Sequence, residues 1–274
     1  AVLKSMNKAN IQTKDDVLIA ATVGEEGLGD LRGVKHLFSK DGVKIDAHIA
    51  VDGGGVGGIV NSTVGSLRYK VTYKGPGGHS YGAFGLANPH NALGKAIHYF
   101  SAAADEYTRK GIKTTYNVGV IGGGTSVNSI PFESWMIIDM RSESPERLKG
   151  INDLLQTALR RALDEENKLK RMGENLTVKI EKVGDRPSGS IPETAPLVQR
   201  AAATADYLGA VPMLGMSSTN SNTPLSLGIP SVTIGGGGKG GNAHALDEWW
   251  LNEKGHLAIQ NALLVLVAEA GLVE

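Results

Sequence analysis

"LRYKVTYKGPGGHS", residues 67–80, decides how this chain is divided. Leu67, Tyr69, Val71 and Tyr73 alternate with Arg68, Lys70, Thr72 and Lys74, the period-two pattern of a strand with one buried and one solvated face. The chain before it reads differently, because 17–23 and 47–51 are near-continuous apolar runs. With helical spacing over 1–9 and 31–39, they give the strand and helix alternation of a largely parallel sheet covered by helices. The glycine-rich "AVDGGGVGGIVNST", 50–63, closes that segment and sets a boundary near residue 62.

After residue 80 the pattern continues outward as a unit of its own. "NPHNALGKAIHYFSAAADEY", 88–107, has helical period, 114–122 and 135–140 read as strands, a charged helix covers 145–170, and a strand follows at 176–183. This is a β-α-β-β-α-β order, a split βαβ motif. It makes 63–180 a compact domain inserted into an α/β domain formed by 1–62 and 181–274. The returning part holds a loop at 184–196, a helix at 195–209, a strand in "GIPSVTIGG" (228–236) and a closing helix at 253–271. The inserted domain has its own strands and helices and is expected to fold independently.

Composition narrows the function. The 274 residues carry 28 basic and 28 acidic side chains, so no bulk attraction draws the chain to nucleic acid or an anionic membrane. No cysteine is present, which excludes disulfides and thiolate-held zinc but leaves oxygen and imidazole ligands open. No segment has the length and apolarity of a membrane span. "GGGVGG" and "GGGGKGG" lack the context of a phosphate loop, so nucleotide binding is not expected. A soluble, cytoplasmic protein is the expectation.

The chemistry-bearing residues fall at element ends. "ATVGEEGLGDLRG", 21–33, places Glu25 and Glu26 after the 17–23 run, Asp52 follows the 47–51 run, and His244 follows the strand in 228–236. The C-terminal ends of strands are where open α/β sheets place ligands. Asp, Glu and His form a workable zinc set. Taken singly, each has a plain alternative: a solvated turn for the acidic pair, an ordinary Asp-Gly turn for Asp52, a loop histidine for His244. His79 lies in a turn stiffened by Pro76, and Arg141 can pair with Asp139 or Glu143.

The joint pattern of "GEEGLGDLRG", "VDGG", "YKGPGGHS", "GGGTSVNSIP", "DMRS", "GIPSVTIGGGG" and "AHALDEW" resembles the zinc-dependent exopeptidase and amidohydrolase family that includes peptidase T, glutamate carboxypeptidase, dipeptidase V and aminoacylase. The resemblance runs in order from about residue 12 to residue 260. It implies a zinc-exopeptidase α/β domain carrying an inserted ferredoxin-like lid and dimerisation domain. It also implies hydrolysis of an amide bond in a small peptide or N-acyl amino acid by a homodimer holding two zinc ions. By resemblance Glu25 is the general base, Glu26, Asp52 and His244 are metal ligands, His79 and Asn128 stabilise the oxyanion, and Arg141 grips a substrate carboxylate. A carboxylate that binds metal beside one that moves protons is a sensible division of labour for water activation.

Two departures accompany the resemblance. The family's H-x-D histidine and a later bridging aspartate have no counterpart before Glu25, and the helix at 1–9 has no start signal. The expectation is a chain lacking the first part of its catalytic domain, with zinc weakly held or absent. In "SSTNSN", 217–222, Asn220 stands where the family usually has aspartate. The alternative from another class is a non-catalytic protein that persists as a dimerising module.

Overall fold

The computed structural model describes residues 1–273. The chain forms two compact units, one of residues 65–186 and one of residues 1–64 with 187–274.

In the 65–186 unit, the strands Thr114–Gly123, Glu133–Ser142, Gly65–Lys74 and Thr177–Arg186 lie in that order in one sheet, every neighbouring pair antiparallel. The alternation that starts at Leu67 carries through the register, which pairs Leu67 with Met140, Tyr69 with Ile138 and Val71 with Met136. Val71, Tyr73, Met136, Ile138 and Met140 are buried on one face. Two helices, Pro89–Thr108 and Pro145–Leu169, supply Phe100, Ile151, Leu155 and Leu159 to the same core. Each such side chain stabilises the fold by roughly 1.5–3 kcal/mol relative to exposure. Both helices start on a side-chain cap followed by proline: Asn88 accepts from the His90 N–H and Ser144 from the Arg147 N–H. Glu166, almost fully buried, accepts from the Asn88 N–H at 3.0 Å and from Lys95 Nζ at 2.7 Å, so its charge is matched twice.

In the other unit, the strands His48–Val51, Ser231–Ile234, Gly58–Thr63 and Met213–Ser217 follow one another across the sheet, and Gly189–Ser190 adds to the end of Gly58–Thr63. The first pair and the last pair are parallel, while the middle pair is antiparallel, so the sheet is mixed where a largely parallel one is expected. Ser231–Ile234 is central and buried at every residue, as a run of apolar and β-branched residues with both faces covered should be. The helices Pro196–Tyr207 and His256–Ala270 pack on it through Leu197, Val198, Ala201 and Val265.

The apolar run at 17–23 is not a strand. No strand among the described residues pairs with it, and Leu18, Ile19 and Val23 are more than half exposed. An apolar run becomes a strand only when a neighbour completes its ladder, and here none does. Gly58–Thr63 corrects the opposite way. The glycines before it form turns, but Gly-Ile-Val-Asn-Ser-Thr is a strand because partners on both sides pair with it. Met213–Ser217 also escapes the sequence pattern, being an edge strand with every residue exposed.

Candidate functional site

The acidic pair sits on a closed loop. The Gly33 N–H donates to the Val23 carbonyl at 2.9 Å and the Leu31 N–H to the Gly24 carbonyl at 2.8 Å. Gly24 is held at a φ of +72°, and a Cβ there would meet the Arg32 side chain at 2.4 Å. A positive φ of this size favours glycine, which carries no Cβ to strain it. Glu25 is half-buried, while Glu26 is exposed and precedes the single 3₁₀ turn Gly27–Gly29.

Asp52 directly follows His48–Val51, its N–H donating to the Ile234 carbonyl at 2.9 Å, so it stands at the C-terminal end of a parallel pair. The loops after these two strands interlock: the Gly236 N–H reaches the Gly53 carbonyl and the Gly55 N–H the Gly238 carbonyl. A Cβ on Gly235 would lie 2.3 Å from the Gly55 carbonyl oxygen, which is why this crossing is written in glycine. His244 lies beyond it, exposed, between the short strands Lys239–Gly241 and Trp249–Leu251. Its φ is 67° and its N–H donates to Glu248 Oε2 at 3.2 Å.

Among the described residues no three His, Asp or Glu side chains converge into a group able to hold a metal ion. Glu26, Asp52 and His244 are thus not gathered into one ligand set. These donors do not fit a resident zinc pair, for which each ion needs several protein ligands at bonding distance.

In the 65–186 unit the segments carrying the candidates His79 and Asn128 lie side by side. The two-residue strands Gly78–His79 and Ser129–Ile130 pair with His79 opposite Ser129, and the Ser80 N–H donates to the Asn128 carbonyl at 2.9 Å. His79 Nδ1 accepts the N–H groups of Tyr81 and Gly82, each at 3.3 Å. A ring nitrogen that accepts carries no proton, so the neutral imidazole keeps its proton on Nε2 as a donor. Asn128 Oδ1 accepts from the Ser126 hydroxyl at 2.6 Å, which makes the amide nitrogen the other donor. Both side chains are exposed. Arg141 is engaged otherwise: its Nε donates to Asp139 Oδ2 at 2.7 Å, and the other carboxylate oxygen takes Arg68 Nε at 2.7 Å. Arg141 therefore sits in an ion pair with Asp139, its side chain partly exposed.

One feature was hidden in the serine and threonine content of 217–222. His48 Nδ1 lies 2.8 Å from Ser231 Oγ, which donates to Ser221 Oγ at 2.9 Å; Ser221 and Thr219 both lie 2.7 Å from Thr233 Oγ1. Because the single Ser231 proton goes to Ser221, the contact with His48 requires a proton on Nδ1. Burial lowers the imidazole to about 4. Asn222, fully buried, donates from Nδ2 to the carbonyls of Val64 and Pro187, both at 2.8 Å, and accepts the Thr219 N–H on Oδ1 at 2.8 Å.

Residues 61–167 match the family of the peptidase dimerisation domain. No curated protein matches the chain in sequence. Among solved structures, the chain is similar in fold to a tripeptidase from Staphylococcus aureus, with 23% identity, a TM-score of 0.71, and coverage of 98% of this chain and 68% of that one. It is also similar to the aminopeptidase PepT from Bacillus cereus, at 20% identity and a TM-score of 0.68 with the same coverage. A third similar structure is an amidase of the hydantoinase/carbamoylase family from Burkholderia vietnamiensis, at 14% identity and a TM-score of 0.69, covering 98% of this chain and 74% of that one. At these identities the likeness is one of fold: a mixed α/β architecture carrying a distinct sheet unit whose sequence matches a dimerisation domain. Among the described residues no helix is long and apolar enough to cross a membrane.

Proposed function

We propose that the protein carrying this chain hydrolyses an amide bond in a small peptide or N-acyl amino acid, as a homodimer joined through the 65–186 unit. The observation that carries this reading is the insertion itself. A β-α-β-β-α-β unit, matching the peptidase dimerisation domain over 61–167, interrupts an α/β unit, in a fold shared with a tripeptidase and an amidase. In this reading the inserted unit is a ferredoxin-like lid, and Glu25 carries the proton from the attacking water to the leaving nitrogen. His79 Nε2–H and the Asn128 amide are the fixed donors for the developing oxyanion. Arg141 turns from Asp139 toward a substrate carboxylate. Glu26, Asp52 and His244 are the zinc donors that this chain contributes. They do not converge among the described residues.

A second reading is a non-catalytic dimerising module, supported by the match of residues 61–167 to a peptidase dimerisation domain. The 274-residue chain is expected to retain less than one zinc per chain after extensive dialysis, and close to two tightly held ions would overturn that expectation of weak binding. Activity separates the two readings. The full gene product, loaded with zinc, is expected to cleave dipeptides, tripeptides or N-acyl amino acids; full metal loading without hydrolysis of any of them establishes the non-catalytic reading.

Dimerisation has its own test. Thr114–Gly123 is an edge strand, with an unpaired ladder and with Val120 and Ile121 exposed. A second copy can extend the sheet across a two-fold axis. Ile121→Lys puts a charge on that edge and is expected to weaken self-association at least about tenfold in sedimentation. A wild-type chain that stays monomeric at tens of micromolar, or a variant that dimerises equally well, counts against this edge.

A further inference from the structure

We infer that Asn220 is a positioning residue whose amide anchors the acidic segment of residues 22–26 to the buried hydroxyl chain behind Ser231–Ile234. The segment that carries Glu25 and Glu26 belongs to no strand, so no sheet ladder fixes it. Its own closing bonds, Gly33 to Val23 and Leu31 to Gly24, hold the loop to itself and not to the sheet. Asn220 Nδ2 crosses from a distant part of the chain and donates to Thr22 Oγ1 at 3.1 Å.

The aim of that amide is set by its neighbours. Thr219 and Ser221, on either side, are 3% and 0% exposed, and both lie 2.7 Å from Thr233 Oγ1 in the central strand. The Ser221 N–H donates back to Thr219 Oγ1 at 3.1 Å, and Asn222 Oδ1 takes the Thr219 N–H. With both flanks fixed to a fully buried strand, the backbone at residue 220 has little freedom and its side chain presents the donor at one place. Thr22, three residues before Glu25, receives it. The tie fixes where the acidic pair begins. That placement matters for catalysis only if the proposed hydrolase reading holds, since a proton carrier must stay within hydrogen-bond reach of its water.

The test is limited proteolysis of the whole chain with a glutamate-specific protease, following cleavage after Glu25 and Glu26 against cleavage after Glu193, exposed and in the same unit, as the internal control. Cleavage tracks the population of the locally open form when reclosing is fast. Asn220→Leu removes the donor and Thr22→Val the acceptor. Each is expected to speed cleavage at 25 and 26 about fivefold, the factor that goes with one ordinary hydrogen bond. The double variant should be no faster than either single one, because both remove the same bond. Asn220→Asp should stay near the parent rate, since the Thr22 hydroxyl can turn and donate to the carboxylate.

Unchanged rates in the single variants overturn the inference. So do effects that multiply in the double variant, and equal acceleration at Glu193, which would mark destabilisation of the whole unit. In the full gene product Thr22→Val is expected to lower kcat about fivefold with KM unchanged, as for a group that acts only in the transition state. Fivefold faster proteolysis in a protein without hydrolase activity would leave the anchor standing and remove the hydrolase reading alone.

Discussion

Asn222→Asp is expected to destabilise the unit of residues 1–64 and 187–274 by about 4 kcal/mol, from two lost hydrogen bonds and a buried charge. Asn222 is 0% exposed and uses both protons of its amide, one on the Val64 carbonyl and one on the Pro187 carbonyl, each at 2.8 Å. These carbonyls flank the two points where the chain passes out of this unit and returns. The Thr63 hydroxyl bonds both the N–H and the carbonyl of Gly189 close by, so the crossings are held side by side by side chains as well as by the ladder. Aspartate has the same shape but offers oxygen where nitrogen donated. Two carbonyl oxygens would then face a carboxylate oxygen with no water to separate them, and only the acceptor bond from the Thr219 N–H would survive. Hydrogen exchange resolves the effect, because Gly58–Thr63 and Ser231–Ile234 should lose protection while Gly65–Lys74 in the other unit keeps it. A loss below about 1 kcal/mol, the scale of one ordinary hydrogen bond, would mean that the crossings are held chiefly by other contacts.

Acid is expected to remove a further contribution through His48. Its imidazole lies between the Phe38 ring, edge-on at 5.5 Å between centroids, and the Ser231 hydroxyl at 2.8 Å. Burial depresses it to about 4 from an ordinary value of 6.5. The folded state therefore binds fewer protons than the unfolded one across that interval. The associated stability is complete above pH 6.5, shrinks as pH falls, and is gone below pH 4. A shift of this size corresponds to about 3 kcal/mol. His48→Asn removes the titration while its amide can still donate to Ser231, and carboxylates that titrate in the same range cancel in the difference. Urea unfolding of the two proteins at pH 7 and pH 4 should show the wild type losing about 3 kcal/mol more than the variant. Equal losses would show that the His48 proton is taken up at no cost to the fold.

The sequence by itself determined the elements whose cause is local. The alternation of Leu67, Tyr69, Val71 and Tyr73 became the register of Gly65–Lys74 against Glu133–Ser142, because a strand whose one face is buried cannot slip by a residue without exposing its core. The helical period read over 88–107 and the charged helix over 145–170 became Pro89–Thr108 and Pro145–Leu169, because amphipathic periodicity is carried by the sequence itself. The glycine-rich stretch around 52–58 reads as a site of tight turns and close backbone approach, and Gly235 does pass within contact of the Gly55 carbonyl.

What only the tertiary structure decided depends on partners distant in the chain. The 17–23 run has the composition of a strand, yet strand status is a property of a pair, and no second member is present among the described residues. Glycine-rich 52–63 hides the strand Gly58–Thr63, which is defined by neighbours at 213–217 and 231–234 and not by its own pattern. The same holds for polar side chains. His48 meets Ser231 across 183 positions, and Asn220 meets Thr22 across 198. A hydrogen bond is made within about 3 Å in space, and nothing in the local spacing of donors and acceptors records which distant group will arrive at that distance. Burial then decides the chemistry: the same histidine that reads as an ordinary titrating residue in the sequence loses its proton affinity once the sheet closes over it.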